Sequence, residues 1–259
     1  MKKLRFTYTM SLTFKDEVRE HFFSLRCVPK SEHNQKIYSL EFNVNPVEAL
    51  NKTTDGFGNI MYVGHCNAPH KNFEYNVTGI AWVDRNSYIQ DSINPIYKYT
   101  SKYTEFDKSM EELYLKAMPF KGTDLQRAMF LMDLLYDNFK YKSGVTNIDT
   151  KAKEAMRLGM GVCQDYAHIL IALCRKFNIP SRYVVGMMIG EGETHAWVEI
   201  YDNGYWYGID PTHNKVVDDY YIKISNGRDY EDCIIDKGIF KGFTTQNQEI
   251  YVNVEEYGG

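Results

Sequence analysis

The stretch GMGVCQDYAH, residues 159–168, places a cysteine directly before a long apolar segment. The apolar residues continue to Phe177 and a proline follows at position 180, which predicts a buried helix from near Cys163 to Asn178. At a helix N-terminus, unpaired N–H groups and the positive end of the dipole favour a thiolate and can hold an oxyanion. Cys163 is therefore suited to be a nucleophile, although free cysteines are more commonly small buried hydrophobes.

A nucleophilic cysteine needs a base, and two histidines are candidates. His168 is five residues further along the same helix, ~140° around its axis, so we expect it to point away and to be structural. His195 opens an alternating strand, and the Asn203-Gly204 pair predicts a hairpin to a second strand that ends at Asp210. In that hairpin the two side chains are within reach. Cys163, His195 and Asp210 are thus predicted as nucleophile, base and orienting acid.

Composition argues against several classes of partner. The chain has 259 residues and a formal net charge of −4, which gives no electrostatic basis for binding nucleic acid or an anionic membrane. Residues 4–14 alternate between apolar and polar, which predicts a strand and not a signal peptide. The five cysteines are scattered along the chain, so we expect all of them to be free thiols and four of them to be packing residues. Free thiols are typical of a reducing compartment, so we expect a cytoplasmic location. Neither a metal nor an organic cofactor is expected.

The predicted fold class is α+β, in three segments. Residues 1–88 read as strands and turns, which predicts an antiparallel, sandwich-like β domain. Residues 89–120 form a polar connector with one short helix. Residues 121–259 contain helices followed by strands, which predicts a catalytic core whose central helix packs on an antiparallel sheet.

Four segments of the core resemble the transglutaminase-like superfamily of papain-type cysteine enzymes. They are GVCQDYAH (161–168), IPSRYVVG (179–186), THAWVEIY (194–201) and GIDPTHN (208–214). In the first half, HFFSLRCVP, FNVNP, DGFGN and APH resemble the β domain that precedes the core in bacterial members. The resemblance covers nearly the whole chain and implies a papain-like transglutaminase core behind an N-terminal β domain.

The resemblance also carries roles for individual residues. It implies that Cys163, His195 and Asp210 are the catalytic residues, and it suggests an oxyanion or cleft position for Tyr141 and Gln164.

Further motif residues are interpreted as structural: Asp165, Arg182, Arg228 and Asp229. We expect Asp165 to bind either Arg182 or backbone N–H groups, and Arg228 with Asp229 to tie a loop to the core. His213 is interpreted as a loop residue.

The implied reaction is acyl transfer to Cys163 from a peptide or protein amide, with a thioester intermediate and an oxyanion held by the Cys163 N–H and a second donor. Resolution by water would make the protein a cysteine peptidase or amidase. Resolution by an amine would make it a transamidase that crosslinks or cyclises, and glutamine deamidation belongs to the same alternative. A non-enzymatic binding module on the same fold is the third hypothesis, and the intact triad argues against it. The oligomeric state and the role of the β domain stay open.

Overall fold

The computed structural model describes residues 1–258, so Gly259, the second glycine of the terminal pair, lies outside the described residues. Strands make up the ordered elements of the first third of the chain, and helices come later. The first five strands are β1 (Lys2–Leu25), β2 (Gln35–Asn45), β3 (Ala49–Thr54), β4 (Ile60–Cys66) and β5 (His70–Val83).

The remaining elements follow a connector that holds two short 3-10 turns. The helices are α1 (Glu111–Ala117), α2 (Asp124–Asn138), α3 (Ala152–Leu158), α4 (Cys163–Lys176) and α5 (Tyr230–Cys233). The later strands are β6 (Lys140–Tyr141), β7 (Met160–Gly161), β8 (Ser181–Met188), β9 (Gly190–Gly192), β10 (His195–Asp202), β11 (Tyr205–Asp210), β12 (Lys215–Val216), β13 (Tyr221–Gly227), β14 (Asp236–Lys241) and β15 (Gln246–Glu256).

The long strand β1 is shared by two sheets. Its first half buries every second residue and pairs with β5 and β15, while its second half pairs with β4 and β14. Register shifts near residues 13–18 and 19–22 accompany the change of partners. Aromatic rings pack between the sheets, with ring centroids 4.7 Å apart for Phe23 and Phe73 and 4.5 Å apart for Phe42 and Tyr62. This arrangement agrees with the sandwich-like prediction.

The C-terminal strands return to the N-terminal sheet. Strand β15 runs antiparallel to β1, from Gln246 opposite Phe14 to Glu256 opposite Leu4. Strand β14 pairs with the far end of β1, and the short strand β9 pairs with β15. The segments proposed as separate units, residues 1–88 and 121–259, therefore share one sheet.

The core contains a five-stranded antiparallel sheet in the order β12-β11-β10-β8-β13, on which α4 packs. Helix α4 is the predicted central helix, and Ile169 to Leu173 are almost completely buried. Helix α2 starts with a capping box, in which the Thr123 hydroxyl accepts from the Gln126 N–H and the Gln126 side chain accepts from the Thr123 N–H. None of the helices within residues 1–258 has the length and apolar character that a membrane span requires.

A buried arginine holds the connector against α4. The guanidinium of Arg175 donates to the carbonyl oxygens of Tyr97 and Ser181 and to the hydroxyl of Thr104, at 3.2, 3.0 and 2.7 Å. Because all three acceptors are neutral, the dipoles of these groups stabilise the positive charge of Arg175 in place of water. The connector is thus packed on the core through specific hydrogen bonds.

Candidate active site

The cysteine of the opening stretch begins α4, as the sequence predicts. Val162, with extended backbone, precedes the helix and Cys163 is its first residue. Gly159 ends α3 with a left-handed φ of 67°, a conformation that glycine adopts without strain. The first N–H groups of a helix lack acceptors within it, so those of Cys163 and Gln164 are placed to bind an oxyanion.

Asp165 fixes the start of this helix. Its Oδ2 accepts from the N–H of Val162 at 2.8 Å and from the hydroxyl of Thr146 at 2.7 Å. A Cβ added to Gly161 would lie 2.3 Å from the same oxygen, so position 161 has no room for a side chain. Of the two alternatives predicted for Asp165, the structure shows the contact with a backbone N–H.

Arg182 has a different partner, Glu199, at 2.5 Å. Glu199 also accepts from Lys223 at 3.1 Å. Burial alone would raise the pKa of Glu199, but the two cations outweigh it and lower the pKa to about 2. This buried ion network lies within the core sheet, on β8, β10 and β13, and Arg182 is therefore placed away from Asp165.

The β10–β11 hairpin brings the predicted base and acid together. Val198 lies opposite Ile209, and the turn residues Asn203 and Gly204 both have positive φ, as in a type I′ turn. The Nε2–H of His195 donates to Oδ2 of Asp210 at 2.8 Å. This contact leaves Nδ1 of the imidazole for the thiol.

Electrostatics favour a charged imidazole at neutral pH. Burial opposes charge on His195, but hydrogen bonds with Asp210 and Cys163 outweigh it and raise its pKa to about 9. Burial would raise the pKa of Asp210, and the hydrogen bonds from His195 and His213 instead hold it well below its usual range. Asp210 also accepts from the hydroxyl of Tyr221 at 2.7 Å. The site therefore holds a buried carboxylate next to an imidazolium.

Cys163 and His195 both line a cavity of about 550 Å³. Tyr141 forms part of its wall, although 60% of its surface is exposed. The side chain of Gln164 does not border the cavity, because its amide donates to the carbonyl oxygen of Ile148 at 3.2 Å, and only the backbone N–H of this residue is placed for an oxyanion. Of the two residues suggested for the oxyanion or cleft, the structure places Tyr141 at the cavity.

His213 lies in the turn after β11, as expected for a loop residue, and it also contacts Asp210. Its Nδ1–H donates to Oδ2 of Asp210 at 2.7 Å, and the half-exposed ring lines the cavity. The ligand atoms of His195, Asp210 and His213 lie within 4.8 Å of one another, so this group could hold a metal ion. The hydrogen bonds to Asp210 account for the same arrangement. In the sequence, the indication of this contact is that His213 follows Asp210 by three residues.

His168 is a buried structural residue. Its ring lies between those of Tyr103 and Tyr183, with centroids 5.3 and 5.1 Å away, and its Nε2 accepts from the N–H of Tyr230 at 3.1 Å. Burial, together with the charge of Arg175, lowers its pKa to about 3. The neutral imidazole thus serves as an acceptor inside the core.

Arg228 and Asp229 connect to the core differently from the expected contact. The guanidinium of Arg228 pairs with Asp232 in α5, at 2.8 and 3.0 Å, and Asp229 caps α5 by accepting from the N–H of Glu231. The link to the core is made by the carbonyl oxygen of Arg228, which accepts from Arg175 at 2.8 Å.

The N-terminal sheet contributes a wall of the cavity that Cys163 and His195 line. Strand β9, which lines the cavity just before His195, pairs with residues 252–254 of β15. Val252 itself borders the cavity. The segment before His195 is therefore held by pairing with strand β15 of this sheet.

A cysteine at a helix start, facing a histidine and an aspartate on adjacent strands, is the arrangement of papain-type cysteine enzymes. The family model of the transglutaminase-like superfamily matches residues 111–211, and that of the bacterial transglutaminase-like N-terminal region matches residues 4–81. The chain belongs to the transglutaminase-like superfamily and carries the bacterial N-terminal region before the core.

Relatives of similar length exist in mycobacteria. An uncharacterised protein of Mycobacterium leprae is 23% identical over 98% of this chain and 99% of its own length. An uncharacterised protein of Mycobacterium tuberculosis is 25% identical over 98% of this chain and 92% of its own length. A solved structure from Cytophaga hutchinsonii, described as a "putative cysteine protease", has a TM-score of 0.81 and 21% identity, and the match covers 100% of this chain and 91% of that one. This structural match confirms the fold.

Proposed function

We propose that the protein is a cysteine-dependent amide hydrolase that acts on peptides or proteins. The observation that carries this proposal is that His195, hydrogen-bonded to the buried Asp210, lines the same cavity as Cys163 at the start of α4. A triad so placed supplies a nucleophile, a proton carrier and an orienting charge. A cytoplasmic location belongs to this proposal and rests on the cysteine pattern.

In the proposed reaction the Cys163 thiolate attacks the carbonyl carbon of the substrate amide. The N–H groups at the start of α4 receive the developing oxyanion. The imidazolium of His195 gives its proton to the leaving amine, the C–N bond breaks, and a thioester with Cys163 remains. His195 then accepts a proton from water as the water attacks the thioester, which releases the carboxylic acid and restores the Cys163 thiolate and the His195 imidazolium.

Access of water favours hydrolysis over amine transfer. The cavity walls are exposed at Tyr141 and along residues 190–192, and His213 is half exposed beside the triad. A transamidase must keep water from its thioester long enough for an amine to react. The exposed walls on several sides of this cavity therefore support hydrolysis over amine transfer.

Mass spectrometry of a diverse peptide pool tests the proposal. The pool is incubated with the protein and with the Cys163→Ala variant, each with and without an added primary amine. We expect new peptide termini that depend on Cys163 and do not change when the amine is present. Cys163-dependent mass gain that matches the amine would favour the transamidase alternative, and deamidated glutamine would favour it as well. Identical pools from the two proteins would count against both activities on peptides.

A further inference from the structure

A second cavity, of about 510 Å³, lies between the N-terminal sheet and the core. Thr194, the residue before His195, lines both this cavity and the catalytic one. Strand β15 also passes along both, because Gln248 and Ile250 line the second cavity and Val252 lines the first. Alternate residues of a strand share a face, so one face of β15 forms a wall that is common to the two cavities.

Much of the second cavity is walled by aromatic rings. They belong to Tyr8, His21, Phe23, Phe73, Tyr230 and Phe240. The rings pack on one another, and Phe73 lies 4.7 Å from both His21 and Phe23 between ring centroids. Such walls accept the methylene groups of a long side chain, and the faces of aromatic rings attract cations.

The cavity also contains a carboxylate that lacks a cation. Asp236 lines the wall and accepts a hydrogen bond from the side chain of Gln248 at 3.0 Å. Among residues 1–258, no lysine, arginine or histidine forms an ion pair with it. Burial raises the pKa of Asp236 more than its hydrogen bonds with Gln248 and Tyr75 lower it, so its negative charge is costly without a nearby cation. A bound cation would remove that cost.

The charges around Asp236 do not oppose such a ligand. Burial and the neighbouring His70 lower the pKa of His21 to about 4, so its ring is neutral at physiological pH. Lys237 borders the cavity, but it is an exposed residue.

We propose that this second cavity is a specificity subsite that receives a lysine or arginine side chain of the substrate. The methylene groups of that side chain pack against the aromatic walls, and its cationic head binds Asp236. The inference rests on the proposed function, since it names the substrate class for the same catalytic site. An acceptor amine does not fit this position, because its nitrogen has to reach the thioester at Cys163 and cannot remain paired with Asp236.

Ligand binding to the Cys163→Ala protein tests the subsite without any turnover. The probes are Nα-acetyl-lysine methylamide and its norleucine counterpart, and the readout is NMR of the isoleucine methyl groups at the cavity, from Ile148, Ile234, Ile235 and Ile250. We expect saturable shifts with the lysine probe and binding at least about fivefold weaker with norleucine, because norleucine lacks the charge. Both probes are measured on the same protein, so this comparison needs no substitution within the cavity.

Two matched substitutions then test whether the charge of Asp236 causes the preference for lysine. Asp236→Asn, in the Cys163→Ala protein, should abolish the preference for lysine over norleucine. Lys52→Gln removes an exposed charge of β3, outside this cavity, and should leave that preference intact. Equal binding of both probes, no saturable shift, or a preference that survives Asp236→Asn would each overturn the subsite.

Cleavage by the unaltered enzyme separates this inference from the proposed function. Matched peptides carry lysine or norleucine at each position from three before to three after the scissile bond. We expect one position at which lysine raises kcat/KM, and we expect Asp236→Asn to remove that gain. Lysine-selective binding without cleavage of any peptide would contradict the proposed function and support the subsite. Cleavage with no preference for lysine would contradict the subsite and leave the proposed function in place.

Discussion

Two histidines of the core, one in the central helix and one on the adjacent sheet, differ in charge although both are buried. His195 is 8% exposed and His168 is fully buried, yet the pKa of His195 is raised to about 9 and that of His168 is lowered to about 3. The first has a carboxylate at 2.8 Å, while the second lies between two tyrosine rings. Burial alone keeps an imidazole neutral, and a buried carboxylate reverses that outcome.

The largest expected effect separates the two histidines by function. His195→Ala should lower kcat/KM on the order of 10⁴-fold or more while the protein stays folded, because the nucleophile loses its proton carrier. His168→Gln keeps an acceptor for the N–H of Tyr230 but loses the ring packing, so we expect kcat/KM to be nearly unchanged and the free energy of unfolding to fall by about 1–3 kcal/mol.

Steady-state kinetics and denaturant unfolding of both variants provide the check. If His168→Gln lost as much activity as His195→Ala, the assignment of separate catalytic and structural roles would fail.

Asp210→Asn should have the next largest effect. The amide cannot stabilise the imidazolium as a carboxylate does, so we expect kcat to fall by about 10³–10⁴-fold. The buried position also accepts from Tyr221, and an amide oxygen retains that bond. Comparison of kcat with KM is the measurement. A loss confined to KM, with kcat unchanged, would remove Asp210 from the triad.

The raised pKa of His195 predicts an alkaline limit to activity. The imidazolium is present below pH about 9 and is lost above it, so kcat/KM should fall up to tenfold per pH unit beyond that point. Because Asp210→Asn removes a contact that raises this pKa, the alkaline fall in kcat/KM should begin closer to neutral pH in that variant. The profile is measured with a substrate that has no titrating group in that range. A wild-type limb near the ordinary histidine value would contradict a charged His195.

His168 predicts a smaller effect, on stability and at acid pH. Its pKa is lower in the folded protein than in the unfolded chain, so its full contribution is present above pH ~6.5 and is lost as the pH falls toward 3. The loss approaches 1.4 kcal/mol per pH unit at most. Unfolding free energies of wild type and His168→Gln, compared between pH 7 and 4, isolate this slope from that of other groups such as His21. If the unfolding free energies of the two proteins changed equally with pH, protonation of His168 would make no contribution to the pH dependence.

The central helix and the adjacent sheet also show what the sequence alone could predict. The positions of Cys163 and of the His195–Asp210 pair followed from local rules, a helix start and a hairpin turn at Asn203-Gly204. Each rule acts over a few residues and is visible in a single stretch.

Long-range pairing was out of reach for the same reason. Strand β15 pairs with β1 from the other end of the chain, and no local signal links them. The hydrogen bond of His213 to Asp210 depends on how the loop after β11 turns. The contact of Arg182 with Glu199 joins neighbouring strands whose register the sequence did not define. The second cavity is formed by both halves of the chain and could not be anticipated from either one.

The reactivity of Cys163 toward iodoacetamide at pH 6.5 tests the central claim most directly. Mass spectrometry follows each of the five thiols, of which Cys163 alone is not buried. Exposure by itself would make Cys163 react first, so the deciding comparison is between wild type, His195→Ala and His168→Gln.

Pairing with the imidazolium predicts rapid modification of Cys163 in wild type and His168→Gln, and a rate at least about tenfold lower in His195→Ala. If His195→Ala reacts as fast as wild type, His195 does not activate the thiol, and the proposed catalytic site is wrong.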